Sequence, residues 1–428
     1  MDLKSATLPG PTLAGKALTL IHAGRAATRS ELTSQLGVTR ATTGAITAEL
    51  RDLGLIVVDS GPGGGHQGRP SHRVVPDPAG PVALAVQVHP DGYAVALVEL
   101  GGVIAARRAW HAPVPADPGL AFAGVAAAAA DLLRASGRRC VGAGACLPTA
   151  VTRPQGTAIR ALYVGWPDGS PVRDLFAAEL AGSGVTAPAG FSAVNDVNAI
   201  ALAEHRHGAG RDAGHLLVLV AEHRGVGGGL VLDGALYTGS TGLAMEAGHV
   251  SVDPYGRPCV CGNRGCLNVE TDAARFLESA GRVLPAQGPI LDEAIALLRD
   301  GYDSDDQVRA AADAIVARLG LGLAGLINVI NPDRVLLGGM HGALLAVAPG
   351  RLREAVARHS PWGHGAAIPV EACALDEAGL IGAAEIAWQP VLDNPSLLRT
   401  LRIDWHKCHT IAMNAIARQG SAPYGGHE

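Results

Sequence analysis

Three of the seven cysteines in this chain fall within eight residues, Cys259-Val-Cys261-Gly-Asn-Arg-Gly-Cys266, and His249 stands ten positions upstream. Three thiolates and one imidazole are the donor set of a closed tetrahedral zinc site, with no ligand position left open for chemistry. Gly256, Gly262 and Gly265 give the backbone the freedom to fold tightly enough to gather all four. The expectation is a structural zinc at His249, Cys259, Cys261 and Cys266 and a compact loop fixed by it.

At 428 residues the chain is longer than one ordinary domain. A hydrophobic share of 48% against 17% charged residues supplies a sizeable core, and 57 glycines with few aromatics suit a loop-rich α/β protein. No uninterrupted apolar stretch of about 18 residues is present and the N-terminus has no leader pattern, so a soluble, cytoplasmic protein with no membrane partner is expected. Clustered cysteines in metal-like spacing fit a reducing compartment better than a disulfide framework. The net charge of −5 is uneven: residues 1–75 carry eight Lys/Arg against five Asp/Glu, and the remainder 26 against 34. A mildly basic head on an acidic body is a weak pointer to nucleic acid.

The head reads as three short helices and a hairpin. The first helix runs roughly over Leu13–Ala23 and ends at Gly24. Ser30 is the expected cap of a second, Glu31–Leu36, and Thr39 of a third reaching Leu53. In the third, Ile46, Leu50 and Leu53 form the buried stripe. Arg40, Thr42, Thr43 and Thr47 then fall on its outer face near the N-terminal end, the end that a recognition helix inserts into the major groove. Leu55–Val58 and His72–Val75 read as strands around a glycine-rich tip, Gly61–Gly68, with Arg69 placed to reach a phosphate or the minor groove. This layout is that of a winged helix-turn-helix, whose partner is a double-stranded DNA operator. A small helical bundle serving protein interaction is the alternative.

Residues 80–395 alternate strand and helix patterns, which implies two α/β lobes around a cleft. Val82–Val88 and Tyr93–Leu100 flank the turn His89-Pro90-Asp91-Gly92. Cys140–Leu147 is a strand, Asp233-Gly234 is a two-residue hairpin turn, and a long helix covers about Asp306–Ile330. Asn195-Asp196-Val-Asn198 follows the strand Phe191–Val194, so Asp196 projects from a strand's carboxyl end into the cleft, where a carboxylate can accept a proton from a hydroxyl. Gly225-Val-Gly-Gly-Gly229 reads as a loop whose bare amides can cradle a phosphate. Glu246 and His249, three apart, share one side of a turn, so that the histidine can hold zinc through one ring nitrogen and face the cleft with the other.

Together, Asn195-Asp196-Val-Asn, Gly225-Val-Gly-Gly-Gly229, Glu246-Ala-Gly-His249, the cysteine cluster, and Gly338-Gly339 after Asn331-Pro332-Asp333 resemble the ROK family of repressors, open reading frames and kinases, over the whole chain to about Pro395. The resemblance implies an α/β, actin/hexokinase-like two-lobed domain over 79–395, zinc on the four ligands named above, and a sugar site using Asn195, Asp196, Glu246 and His249. A winged helix-turn-helix over 1–78 in front of it is the layout of the family's repressor branch. Members of that branch that read palindromic operators are expected to be homodimers or homotetramers.

Three departures from the family pattern bear on function. Where ROK kinases carry Asp-x-Gly-Gly-Thr to hold ATP phosphates, this chain has Gln87-Val-His89-Pro90-Asp91, and proline has no amide hydrogen to offer. Phosphoryl transfer rests on positioning and neutralising the phosphates. Asp196 thus keeps the position of the kinase base with no catalytic residue assigned around it, and the expected protein is a sugar-sensing repressor; a sugar kinase with a regulatory head is the rival. The family's sugar-contacting Glu two residues past the last cysteine is Asn268 here, and its Asn-Leu-Gly-Trp segment is Tyr163-Val-Gly165-Trp166. These changes imply an unusual sugar or sugar derivative as effector, or a vestigial site. The extension 396–428, with Leu398, Leu401, Trp405 and His406-Lys-Cys408-His409, is assigned no role.

Overall fold

The computed structural model describes residues 10–59, 72–222, 225–284, 290–361 and 364–399. The glycine-rich tip expected over Gly61–Gly68 with Arg69, and the tail from position 400 onward, including Leu401, Trp405 and His406–His409, lie outside the described residues.

The head holds helices α1 (Leu13–His22), α2 (Arg29–Leu36) and α3 (Arg40–Asp52), followed by the antiparallel strands β1 (Ile56–Asp59) and β2 (Arg73–Pro76). Thr39 caps α3 by accepting from the Thr42 amide, as its position suggests. The cap of α2 is Thr28 rather than Ser30. Thr28 accepts from the Glu31 amide while Glu31 reaches back to the Thr28 amide, a capping box that starts the helix two residues earlier.

Two five-stranded sheets make the body. The first has the order β5-β4-β3-β6-β9, from β3 (Val82–His89), β4 (Gly92–Glu99), β5 (Ile104–His111), β6 (Cys140–Leu147) and β9 (Phe191–Asn195). A short pair, β7 (Ala150–Val151) and β8 (Ala158–Ile159), branches from it. The second has the order β12-β11-β10-β13-β14, from β10 (His215–Glu222), β11 (Gly225–Leu232), β12 (Ala235–Leu236), β13 (Arg334–Gly338) and β14 (Val370–Ala372). In each, a central strand pairs antiparallel with its successor and parallel with a later strand. The two lobes therefore repeat one topology. The β11–β12 turn has Asp233 and Gly234 at φ 51° and 77°, the doubly positive geometry that a two-residue type I′ hairpin demands.

Three helices set the relation between lobes and head. Asp306–Ile330 fills the second lobe's core with Ile315, Leu319, Leu323 and Ile327. Together with Pro118–Ser136 it is long and apolar enough to cross a membrane by composition alone, yet both pack into lobe cores. Ala378–Asp393 lies on the first sheet, where Trp388, buried, donates to the Val98 carbonyl. Asp196–His207 leaves β9 and crosses between the sheets. Leu18, Leu32 and Leu50 of the head share one hydrophobic cluster with Ala83, Leu380, Trp388 and Val391 of the first lobe, so head and lobe are welded by common burial. Leu398 joins the same cluster and Arg399 pairs with Glu49 of α3 at 3.1 Å, so the start of the extension packs on the head.

Candidate functional site

A cavity of about 280 Å³ opens between the lobes, and its wall includes Thr149, Arg160, Tyr163, Asn195, Asp196, Glu222, Glu246, His249 and Asn268. Its floor is the start of the crossing helix. The Asn195 side chain accepts from the Asn198 amide and caps that helix, while its amide group donates to Asp196 Oδ1 at 3.0 Å and to the Thr149 carbonyl at 3.3 Å. Asp196 Oδ1 also accepts from the Val197 amide at 2.8 Å. One carboxylate oxygen is thus tied to the helix start, and Oδ2 has no partner among the described residues. Burial, with Glu222 and Glu246 adding negative charge nearby, pushes the Asp196 carboxyl up to about 8. At neutral pH it is a hydrogen-bond donor as well as an acceptor.

The opposite wall grows out of the cysteine cluster. Glu246 leads into the turn Ala247–His249, which places His249 Nε2 4.0 Å from Glu246 Oε2. The other ring nitrogen, Nδ1, faces Cys259 Sγ at 3.7 Å, Cys261 Sγ stands 3.7 Å from Cys266 Sγ, and all four donor atoms lie within 4.8 Å of one another. Two thiolates each about 2.3 Å from a tetrahedral zinc stand about 3.8 Å apart, so the donor set and its spacing fit that ion. Burial pushes the His249 imidazole below its usual range, toward the neutral form a metal requires. Gly265, at φ +57°, passes so close to Asp253 that an added Cβ would lie 1.6 Å from the Asp253 carbonyl oxygen. Only glycine closes the loop there. Glu270, buried, accepts from the Arg257 amide and holds the loop's base.

Cys266 starts the short helix Leu267–Glu270 and so carries Asn268 into the wall. Asn268 Oδ1 accepts from the Val226 amide at 2.7 Å, and its Nδ2 donates to the Tyr163 hydroxyl at 3.0 Å. Expected as a sugar contact, Asn268 lines the cavity but spends its side chain on fixing β11 and Tyr163.

Two expectations are corrected. The run Gly225–Gly229 is no phosphate-cradling loop: it is the first half of β11, paired residue by residue with β10. Its glycines admit the crossing helix, since a Cβ on Gly227 would meet Val197 Cγ2 at 2.3 Å and one on Gly229 would meet Ala201 Cβ at 2.6 Å. On α3, Thr43 and Thr47 are buried rather than outward-facing. The Thr43 hydroxyl meets that of Thr33 at 2.9 Å, and Thr47 Oγ1 donates to the Thr43 carbonyl. Arg40, Ala41 and Ala45 are exposed, and Thr42 is half-buried with its hydroxyl against that of Thr39.

Where the family resemblance leads one to expect the kinase phosphate loop, β3 and β4 are joined by a two-residue turn, Pro90-Asp91, with His89 paired to Gly92. Gln87 is buried and packs against Gly379 at the start of the helix Ala378–Asp393.

Residues 84–389, most of the chain and both sheets, match the ROK family. The chain belongs to the ROK family. It is 34% identical over 203 residues to the glucokinase of Thermotoga maritima, a stretch covering 45% of this chain and 64% of that protein. It is 33% identical over 150 residues to the DNA-binding transcriptional dual regulator NagC of Escherichia coli, covering 34% of this chain and 37% of NagC. The chain thus spans less than two thirds of the length of either relative. Among solved structures, a ROK family transcriptional regulator homologous to Escherichia coli Mlc superposes with a TM-score of 0.71 at 22% identity, covering 90% of this chain and 97% of that one. A ROK family glucokinase from Streptomyces griseus superposes with a TM-score of 0.60 at 23% identity, covering 72% of this chain and 99% of that one. The two-lobed ROK fold is shared with both.

Proposed function

We propose that this chain is a sugar-responsive transcriptional regulator, a repressor that binds a palindromic operator through a winged helix-turn-helix head and is released by a sugar or sugar derivative in the ROK cleft. The observation that carries the reading is the head itself: three helices and a hairpin welded into the first lobe's core. The wider coverage of the regulator structure, 90% of this chain against 72% for the glucokinase, supports the same assignment. Arg40, exposed at the N-terminal end of α3, is the side chain best placed for DNA; Ala41 and Ala45 beside it present a smooth apolar surface suited to thymine methyl groups. Two half-sites require two heads, so a homodimer or homotetramer is part of the reading.

The cleft supplies the sensor. Asn195, Asp196, Glu246 and His249 would bind sugar hydroxyls, and the cavity is near the lower end of ligand-pocket sizes, roughly 300–1,000 Å³. A structural zinc on His249, Cys259, Cys261 and Cys266 would cross-link the turn after Glu246 to the Asn268 wall and keep His249 facing the cleft. It takes no part in chemistry.

A kinase reading is favoured by one observation, the retention of Asp196 at the cleft floor, and by the similarity to a glucokinase. Against it stands Pro90 in the tight β3–β4 turn, which has no amide hydrogen to offer an ATP phosphate. A coupled assay for ADP release against a panel of hexoses and amino sugars separates the two. No sugar-dependent turnover is expected; clear turnover overturns the assignment as a regulator without catalysis.

A further inference from the structure

One helix touches both the cleft and the head. Asp196–His207 has 12 residues, about 18 Å at 1.5 Å per residue, and its first residue is the carboxylate on the cleft floor. Its last turn supplies Arg206 and His207 to Glu385, a carboxylate with no solvent exposure on the helix Ala378–Asp393. The same carboxylate takes His22, the last residue of α1 in the head. Glu385 Oε1 accepts from His22 Nε2 and from His207 Nε2, each at 2.8 Å, while Oε2 accepts from His22 Nε2 at 2.8 Å and from Arg206 Nη1.

The turn that follows the helix continues the grip. Arg211 Nη2 donates to the Ala23 carbonyl at 2.7 Å, and Asp212 lies 3.8 Å from Arg25. Residues 206–212 thus hold the corner between α1 and α2 at three points.

Two histidines and a glutamate are also donors of the kind a metal takes, but proton placement here points elsewhere. The Gly101 amide donates to His22 Nδ1 at 2.8 Å, which fixes the imidazole proton on Nε2, where it is given to Glu385. With Arg206 already on that carboxylate, the group is a satisfied ion pair and has no site for a second cation.

The helix is gripped along its length. A Cβ on Gly382 would lie 1.9 Å from the Ala199 carbonyl oxygen, and one on Gly227 or Gly229 would strike Val197 or Ala201. Backbone packs on backbone at Gly382, and the Val197 and Ala201 side chains press on bare strand backbone on the other side, so a shift at one end meets close contacts on both faces. A buried charge network at the other end favours one geometry over others more than it adds stability.

We propose that Asp196–His207 is the transmission element of this protein, and that the Glu385 node with His22, Arg206 and His207 is the latch through which displacement at the cleft loosens the head. The proposal rests on reading cleft and head as the two ends of a regulator, but its test needs neither sugar nor DNA, so a failure of that reading is seen separately in the assays for sugar and DNA.

The test is amide hydrogen exchange, followed by mass spectrometry on the full chain. Arg206→Met opens the latch from the head side. Gly227→Ala pushes Val197 at the cleft side, about 14 Å from Arg206 along the helix, without touching the node. Exchange of the amides in 16–26 is expected to accelerate at least tenfold in Arg206→Met and at least threefold in Gly227→Ala. The double variant should be no faster than Arg206→Met alone, because both act through one element. Arg206→Lys should retain near-native protection, and the amides of Asp306–Ile330 serve as the internal standard for global stability. Should Gly227→Ala open that standard too, Val197→Ala replaces it as the cleft-side perturbation. Native exchange of 16–26 in the cleft-side variant, or an additive double variant, overturns the transmission; native exchange in Arg206→Met overturns the latch.

Discussion

Tyr163 and Asn268, 105 positions apart in sequence, are joined across the cleft wall by a 3.0 Å hydrogen bond from the asparagine amide to the phenol oxygen. The same asparagine holds the Val226 amide, so one side chain ties Tyr163 and β11 together in the wall of the ROK cleft.

That pairing is measurable. Tyr163→Phe removes the hydroxyl and leaves one Asn268 hydrogen without its partner, at a cost of about 1 kcal/mol. A double-mutant cycle with Asn268→Ala in chemical denaturation should return a coupling of similar size. A coupling indistinguishable from zero would mean that the two residues only happen to be adjacent.

On α3 the roles of arginine and threonine separate. Thr43→Val breaks the contact with Thr33 and should lower stability by about 1 kcal/mol while leaving DNA affinity unchanged. Arg40→Ala should do the reverse, weakening DNA binding about tenfold, with a shallower salt dependence and an unaltered melting temperature. Equal loss of DNA affinity in both variants would restore Thr43 as a reader.

Much of this architecture is legible in the sequence, and the failures have physical causes. The strand Cys140–Leu147 and the helix Asp306–Ile330 follow from apolar runs and their caps. The cysteine spacing brings together the four donors that the structure gathers. Thr43 and Thr47 mislead because, with Ile46 and Leu50, they complete a stripe at i, i+3, i+4, i+7, and their hydroxyls are satisfied by carbonyls four residues back, which makes burial tolerable. Gly225–Gly229 misleads because glycine signals a loop, whereas here it records how closely a helix crosses a strand. The Glu385 node is invisible in sequence: His22, His207 and Glu385 are neighbours only once the head, the crossing helix and the helix Ala378–Asp393 have packed together.

For the metal site, the purified chain is expected to carry one zinc per chain by elemental analysis. Cys261→Ser should reduce zinc content to a small fraction and lower the melting temperature, because loop closure and metal binding are coupled. Unchanged zinc content and melting in the variant would contradict the structural role.

Asp196 carries a pH signature. A carboxyl in the unfolded chain ionises near pH 3.9, about four units below the value of about 8 that burial and neighbouring charge impose in the fold. Between those values the folded state holds a proton that the unfolded state has lost, so the stability linked to this group is full below about pH 4 and drains away as pH rises toward 8. Asp196→Asn removes that loss. Its melting temperature relative to wild type should therefore climb steadily from pH 5 to pH 8, and a flat difference would show that the carboxyl titrates normally.

The central claim is that this ROK protein reads DNA and answers to a sugar. The most direct test selects bound fragments from a random DNA pool with the full chain. It then measures affinity for the selected sequence across a salt series, with and without millimolar glucose or N-acetylglucosamine. The account predicts enrichment of a palindrome, an affinity that falls steeply with salt, and release by at least one of the sugars. Failure to enrich any sequence, together with sugar-dependent ADP release by the same preparation, would contradict it.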